Sequence, residues 1–448
     1  MEITGKNISI IGAVRSGIGA AKMVKKLGGI PFVSDSGDEK KLEKQLKTLK
    51  KLGVEFETGM NSEKVYDCDL MVVSPGVPSD SKVIMTAKEK NIKVIGEVEL
   101  AASFCKGNII AITGTNGKTT TTSLTGHLLK NCGAKTFVVG NIGNAFSEIA
   151  LDTTKEDFVV LEISSFQLDM IENFKPKVAV ILNITPDHLN RYENKFENYI
   201  DSKFRIFKNQ DEKDYLIINH DDKTISKFTS SHKSRDLFFS LTEKQENGCF
   251  RLSEKVIFNK DGQTEFECDV ADINLLGDHN VSNAMAAVSS LKVFGFDNEK
   301  IIEGLKSFKA VEHRLEFVRE LNGVRYINDS KATNVDSVWY ALQSFDDPIF
   351  LILGGQDKGN DYNQIKKLVL DRVKKIYAIG SSATKVFNFF HKDVKVEVVS
   401  SLESAVTEAN KEARNGEVVL LSPACASFDM FDNYEHRGSV FKNFVKSL

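Results

Sequence analysis

Short β-branched runs alternate with helical stretches along this chain, and the alternation begins three times. In the first hundred residues strands are read at 8–11, 31–34 and 70–73, and helices at 17–27, 38–52 and 81–90. Strand, helix and strand in succession call for parallel strands joined by crossover helices, because a tight turn cannot close a parallel pair. The chain is therefore α/β. The pattern starts again near residue 98, with a strand at 108–113, a glycine-rich turn, a helix at 118–130 and strands at 135–139, 158–163 and 178–182. Between 214 and 275, short runs with the turn dipeptides Asn247-Gly248 and Asp261-Gly262 predict a small antiparallel patch, closed by helices at 280–291 and 298–308. A third start comes near 311, where 316–321 and 324–328 flank Asn322-Gly323, the dipeptide of a two-residue hairpin. Strands at 349–353, 375–379, 395–398 and 418–421 then alternate with helices, giving another mostly parallel sheet.

A length of 448 residues allows two to four domains, and the three starts select three. Lys and Arg number 59 against 62 Asp and Glu, for a net charge of -3, so no basic field marks a nucleic-acid or anionic-lipid partner. The six cysteines are scattered, without a Cys-x-x-Cys pair or zinc spacing, which fits free thiols in a reducing compartment. Residues 8–14 are apolar but are cut by Arg15 and followed by Gly17 and Gly19, a strand entering a turn rather than a signal peptide. No run of 18 apolar residues occurs, so a cytoplasmic protein is expected. No long apolar heptad run suggests a coiled-coil dimer, and a monomer is expected.

Chemistry concentrates at strand ends. Gly114-Thr115-Asn116-Gly117-Lys118-Thr119-Thr120 joins a clean strand to a clean helix and reads as a phosphate-binding loop. Backbone N–H groups at the helix start and the Lys118 ammonium would meet phosphates, and the Thr119 hydroxyl would reach Mg²⁺. Ile112 stands where the common pattern has its first glycine, so the loop is a variant; a plain glycine turn is the alternative. At the N-terminus, Gly12 to Gly17 resembles a dinucleotide fingerprint, but Val14 occupies the place of the second glycine, which argues against NAD. A nucleotide diphosphate on the helix start, with Arg15 and Ser16 as donors and Asp35 toward a ribose or uracil, and a simple supporting domain are both open there.

In 196–207 a helical period puts Phe196, Tyr199, Ile200, Phe204 and Phe207 on one arc with Lys203 near its middle. Such a lysine is either paired or snorkelling, or it is a neutral amine able to take up CO₂ as a carbamate. Glu162 closes one strand before Ser164-Ser165, and Asn183 to His188 closes the next. Ligands in open α/β sheets bind at the carboxyl ends of strands, which puts Thr119, Glu162 and His188 on one rim as candidate Mg²⁺ ligands.

Several motifs in this order resemble the Mur ligases, the ATP-dependent amide-forming enzymes of peptidoglycan synthesis. They are Gly114–Thr120, Glu162 with Ser164-Ser165, Asp187-His188, Lys203, Gly277-Asp278-His279-Asn280 with Asn283, His313-Arg314, and Asn328 to Asn334. Within the family, Ser422 to Asp429, Tyr434, Arg437-Gly438 and the early Ser74-Pro75-Gly76 are most similar to the members that add D-glutamate, and the Asp-Asn-Pro-Arg signature of many diaminopimelate-adding members is absent.

The resemblance implies three domains. They are a Rossmann-like UDP-substrate domain over 1–98, a central ATP-binding domain over 99–310 with the antiparallel patch, and a Rossmann-like amino-acid-binding domain over 311–448. It implies that D-glutamate is joined to UDP-N-acetylmuramoyl-L-alanine through an acyl phosphate, at the expense of ATP. Two Mg²⁺ ions are implied, one on Thr119 and Glu162 and one on His188 and a carbamylated Lys203. Lys118 and Lys331 are implied to act on the reacting groups. Asn280, Asn283, Arg314 and Asp329 are implied for ATP beside the loop Gly114–Thr120. Val14, Arg15, Ser16, Gly17, Asp35, Ser36, Ser74, Pro75, Gly76 and Asn141 are implied for the UDP substrate, and Thr333, Lys358, Ser427, Phe428 and Tyr434 for D-glutamate. Tyr434 stands where the family has a phenylalanine, and Arg15 where an apolar residue lies near the uridine. Because the ATP residues come from both the central and the last domain, closure of the domains is expected during turnover. A sister ligase, a folylpolyglutamate synthetase, a nucleotide-driven switch and, weakened by Val14, a dehydrogenase are the alternatives.

Overall fold

In the computed structural model, which describes residues 1–228, 232–309 and 311–448, the strands form three sheets. The first runs Glu55–Thr58, Ile30–Asp35, Asn7–Ile11, Leu70–Val73, Val94–Gly96, with every pair parallel. Its inner strands are apolar without alternation because both faces are covered: Ile10, Val33 and Val72 are buried on one face, and Ile11, Met71 and Val73 on the other. The first helix, Arg15–Lys26, starts two residues earlier than the pattern predicts. Gly12, at φ +99°, turns the chain into it. Gly17 packs so closely that a Cβ there would lie 1.8 Å from the Gly12 carbonyl oxygen.

The second sheet has nine strands. They run Gln263–Asp269, Lys255–Lys260, Gly248–Leu252, Arg235–Ser240, Tyr215–Asn219, Val178–Ile181, Asn108–Thr113, Phe158–Glu162, Thr136–Gly140. The antiparallel patch expected over 214–275 is smaller than that. Tyr215–Asn219 and Arg235–Ser240 pair in parallel within the main sheet, since the helix Lys223–Phe228 lies between them in the chain. Arg235–Ser240 and Gly248–Leu252, on either side of Asn247-Gly248, are parallel too, and among the described residues of this sheet antiparallel pairing is confined to Gly248–Leu252 with Lys255–Lys260 and, across Asp261-Gly262, Lys255–Lys260 with Gln263–Asp269. The helices Asp278–Lys292 and Asn298–Ser307 follow.

The third sheet runs Glu316–Leu321, Val324–Asn328, Val418–Leu421, Ile349–Gly354, Val373–Ile379, Lys395–Val398. Its hairpin is the predicted one: Asn322 and Gly323 both have positive φ, as a two-residue turn with the twist of the strands requires. The remaining pairs are parallel.

These sheets fall in two compact units, Met1–Ile273 with Ser282–Ser307, and Asn274–Val281 with Phe308–Leu448. In the first unit one apolar core runs from Ile10, Ala20 and Val72 through Val98 and Leu100 to Val159 and Ile181, joining two sheets. In the second, apolar clusters cover each face of the third sheet. The expected seam at 310 falls on Ala310, outside the described residues. All six cysteines are free, and no helix among the described residues is long and apolar enough to cross a membrane.

Candidate functional site

The loop Gly114–Gly117 leaves the buried strand Asn108–Thr113 and enters the helix Lys118–Asn131. Gly114 and Gly117 have φ of +156° and +84°, so glycine is needed at both. The loop is pinned from the neighbouring strand end: Thr115 N–H donates to the Asn183 carbonyl (2.9 Å) and Asn116 N–H to Asn183 Oδ1 (2.8 Å). Thr115 Oγ1 lies 3.0 Å from the Thr185 carbonyl and 3.2 Å from the Tyr199 hydroxyl. Thr119 and Thr120 are buried in the first helical turn, whose N–H groups lie at the positive end of the helix. A Cβ on Gly117 would lie 2.4 Å from Asn283 Oδ1, which also accepts from the Thr121 hydroxyl. The structure thus brings Asn283 to the loop. Asn280 belongs to the other compact unit, where its amide donates to the Leu276 carbonyl.

Two lysines meet one carbonyl. Lys118 Nζ and Lys203 Nζ each lie 2.8 Å from the Gly114 oxygen, and Lys118 also donates to Thr115. Lys203 is 1% exposed, with Nζ 4.6 Å from the centre of the Tyr199 ring. Burial first, and the Lys118 charge second, hold its amine far below the usual lysine range, against weaker pulls from Asp187 and Asp169. The arc of apolar residues around it is present, with Tyr199, Ile200 and Phe207 buried.

Glu162 is the last residue of Phe158–Glu162 and is also 1% exposed. One carboxylate oxygen accepts from the Asn141 amide (2.9 Å), and the other is buried with no hydrogen-bond partner. An orphaned carboxylate oxygen at a strand end is the donor a hard cation takes. His188 is exposed, has φ +52°, and sets its ring edge-on to Phe166 at 5.1 Å.

In the first sheet, Val14 is 53% exposed at the helix start, and Ser16 is half-buried behind it. The Arg15 guanidinium donates to the carbonyls of Gly140, Asn141 and Gly143. Asp35 accepts from the N–H groups of Ala13 (2.6 Å) and Gly37 (2.7 Å), which fixes the turn before the helix, and Ser36 is exposed beside it. Ser74 Oγ approaches the Gly12 carbonyl at 3.3 Å, bringing the Ser74–Gly76 turn next to the Gly12–Gly17 turn.

The second unit gathers another group. Asp329 is buried and accepts from the Ser422 hydroxyl (2.8 Å) and Leu315 N–H (3.3 Å); burial pushes its carboxyl up to about 7, against the pull of Arg314. Lys331 Nζ lies 5.1 Å from the centre of the Tyr434 ring, which is also edge-on to His313. Thr333 follows in the same turn, half-buried. Ser427 is buried, Lys358 is exposed, and Phe428 is 69% exposed, a large apolar surface left open. The sequence reading gave no role to Asn183, Arg191 or Arg437. Arg437 is buried and bonds Ser330 and Cys425, tying the turns that carry Lys331 and Ser427. Its place in the Arg437-Gly438 pair is the signal the sequence offers for it.

A glycine loop between buried strand and helix, flanked by a buried carboxylate and a buried lysine, defines a P-loop α/β protein. Family models match in order: the MurD N-terminal domain over 10–83, the Mur ligase middle domain over 112–291, and the Mur ligase, glutamate ligase domain over 313–425. Two relatives named UDP-N-acetylmuramoylalanine–D-glutamate ligase align end to end. That of Koribacter versatilis is 46% identical over 100% of this chain and 99% of its own, and that of Salinibacter ruber 42% over the same shares. The solved UDP-N-acetylmuramate-alanine ligase of Thermotoga maritima shares the fold at a TM-score of 0.63 and 20% identity, over 99% of both chains. The chain belongs to the Mur ligase family.

Proposed function

We propose that the protein is an ATP-dependent ligase that joins D-glutamate to UDP-N-acetylmuramoyl-L-alanine in peptidoglycan precursor synthesis. The observation that carries this reading is the end-to-end match to relatives of that name, N-terminal domain included. In the reaction the alanyl carboxylate attacks the γ-phosphorus and ADP leaves. The D-glutamate amine then attacks the acyl phosphate, phosphate leaves, and the amide forms with loss of a proton.

The chain's share is charge control and alignment, since a carboxylate and a triphosphate repel each other. Lys118, at the helix start with Gly114 to Thr120, neutralises the phosphates. Thr119 and Glu162 would hold one Mg²⁺, and His188 with Lys203 a second. Bound there, Mg²⁺ supplies the remaining charge neutralisation of the phosphoryl transfer. The unpartnered oxygen of Glu162 supports the first site. For the second, a buried neutral amine forms an N–C bond to CO₂ and releases a proton, turning Lys203 into an anionic oxygen ligand; its burial and depressed basicity support this. Asn280, Asn283, Arg314 and Asp329 serve the rest of ATP. Val14 to Gly17, Asp35, Ser36, Ser74 to Gly76 and Asn141 serve the UDP substrate, with the Arg15 and Asp35 side chains acting through the turns they hold. Thr333, Lys358, Ser427, Phe428 and Tyr434 serve D-glutamate, and Lys331 faces the reacting carboxylate. The three regions 1–98, 99–310 and 311–448 then divide the work, in a monomeric cytoplasmic enzyme.

Phosphate release from ATP, measured with UDP-N-acetylmuramoyl-L-alanine and a panel of amino acids, tests this. Release with D-glutamate alone is expected. Release with L-alanine or diaminopimelate instead would assign a sister ligase, and release with none would overturn the ligase reading.

A further inference from the structure

His188 sits in a segment whose backbone is costly to hold. His188, Glu193 and Asn194 all have φ between +52° and +56°, a region that non-glycine residues enter at a cost and keep only when their surroundings fix them. Arg191, whose N–H donates to the His188 carbonyl at 2.9 Å, extends its guanidinium to the first sheet. There Nη1 donates to the Pro75 carbonyl and Nη2 to the Gly76 carbonyl, both at 3.3 Å. The fork therefore spans two consecutive carbonyls more than a hundred residues away in sequence. The same guanidinium lies 4.5 Å from the centre of the Phe166 ring, the ring against which His188 stands edge-on. Ser74 and Pro75 of that turn also line one small pocket with Glu97 and Phe166.

We infer that Arg191 is a positioning residue that links occupancy of the Ser74–Gly76 turn to the placement of His188. The inference rests on the reading that the UDP substrate binds at that turn. A ligand that shifts or stiffens the two carbonyls changes the anchor of the guanidinium, and Arg191 passes that change to Phe166 and to the segment carrying His188. Catalytic geometry at His188 then depends on the first substrate being in place, although Arg191 touches no reacting atom.

The test uses the full-length enzyme, with hydrogen exchange read on peptides covering 187–195, with and without UDP-N-acetylmuramoyl-L-alanine. Wild type is expected to gain protection there when the substrate binds. Arg191→Met is expected to bind the substrate yet gain no protection, and to lose kcat by about 10- to 100-fold with the KM for ATP little changed. Arg191→Lys keeps the charge but cannot span both carbonyls, and is expected to lose the protection as well. Arg191 is exposed, so both variants should fold. A methionine variant that still gains protection, or a lysine variant indistinguishable from wild type, would overturn the inference. Wild type that fails to bind the UDP substrate would instead sink the reading of the turn, and the inference with it.

Discussion

Lys203 and Glu162 are both buried, and they carry opposite problems. Burial holds the lysine's amine far below its usual range while it donates to Gly114; the carboxylate has an oxygen with nothing to accept. Replacing each of the two should therefore separate stability from activity. Glu162→Gln keeps the shape and removes an unpaired buried charge, so its free energy of unfolding is expected to hold or rise by up to about 1–3 kcal/mol. Its turnover should fall by about 100-fold or more and require more Mg²⁺, as a Mg²⁺ titration of phosphate release would show. Lys203→Met matches the volume and leaves Lys118 on the Gly114 carbonyl, so the fold should survive while activity is lost. In ¹³C-bicarbonate, wild type should show a carbamate carbon resonance that the methionine variant lacks; an active variant would refute the role of the lysine. Asp329 gives a pH dependence. Its carboxyl is raised to about 7 from an ordinary 3.8, so the folded state binds the proton more tightly than the unfolded chain. That contribution to stability is fully present below about pH 4 and is lost as pH rises through about 7. Asp329→Asn cannot ionise. Relative to this variant, wild type should lose stability between pH 4 and 7 and then level off, and parallel urea midpoints across that range would contradict it.

At the level of elements, the glycines decide where a helix can sit on its strand. A methyl group at Gly17 would strike the Gly12 carbonyl, backbone that cannot rotate away. Gly17→Ala should push the helix Arg15–Lys26 off the first sheet, cost about 1–3 kcal/mol or more, and weaken binding of UDP substrate while leaving ATP binding in place. Calorimetric titration with each ligand would check this. The same closeness explains what a reader of the sequence can see. Gly12 and Gly17, the loop Gly114–Gly117 and Asn322-Gly323 are legible because only glycine or asparagine fits such backbone, and buried parallel strands announce themselves as unbroken apolar runs. Glu55–Thr58 and Val94–Gly96 are missed because an edge strand need not be apolar and three residues make no pattern. The parallel pairing of Tyr215–Asn219 with Arg235–Ser240 is missed because turn dipeptides on one side of a segment say nothing about a crossover on the other. In the site, residue types at strand ends are readable. Contacts between distant segments, such as Asn183 with Asn116 or Arg437 with Ser330, are not, since they depend on which strands become neighbours.

The molecule as a whole divides its proposed ligands between two compact units, and that division has a thermodynamic consequence. The residues proposed for the UDP substrate, 14–17, 35–36, 74–76 and 141, all belong to the first unit, and those proposed for D-glutamate, from Thr333 to Tyr434, to the second. Each unit has its own apolar core, so each has the means to unfold as a cooperative block. A ligand that binds only the native form of one block stabilises that block by about 2.7 kcal/mol at a hundred times its dissociation constant. Scanning calorimetry of the full chain should then resolve into two components. UDP-N-acetylmuramoyl-L-alanine alone should raise the component of the larger unit and leave the other unmoved, and D-glutamate alone, at sufficient concentration, should do the reverse. A single transition that both ligands move equally would mean that the units unfold as one. The UDP substrate moving only the smaller component would remove the assignment of the Gly12–Gly17 and Ser74–Gly76 turns, because no residue of those turns belongs to that unit.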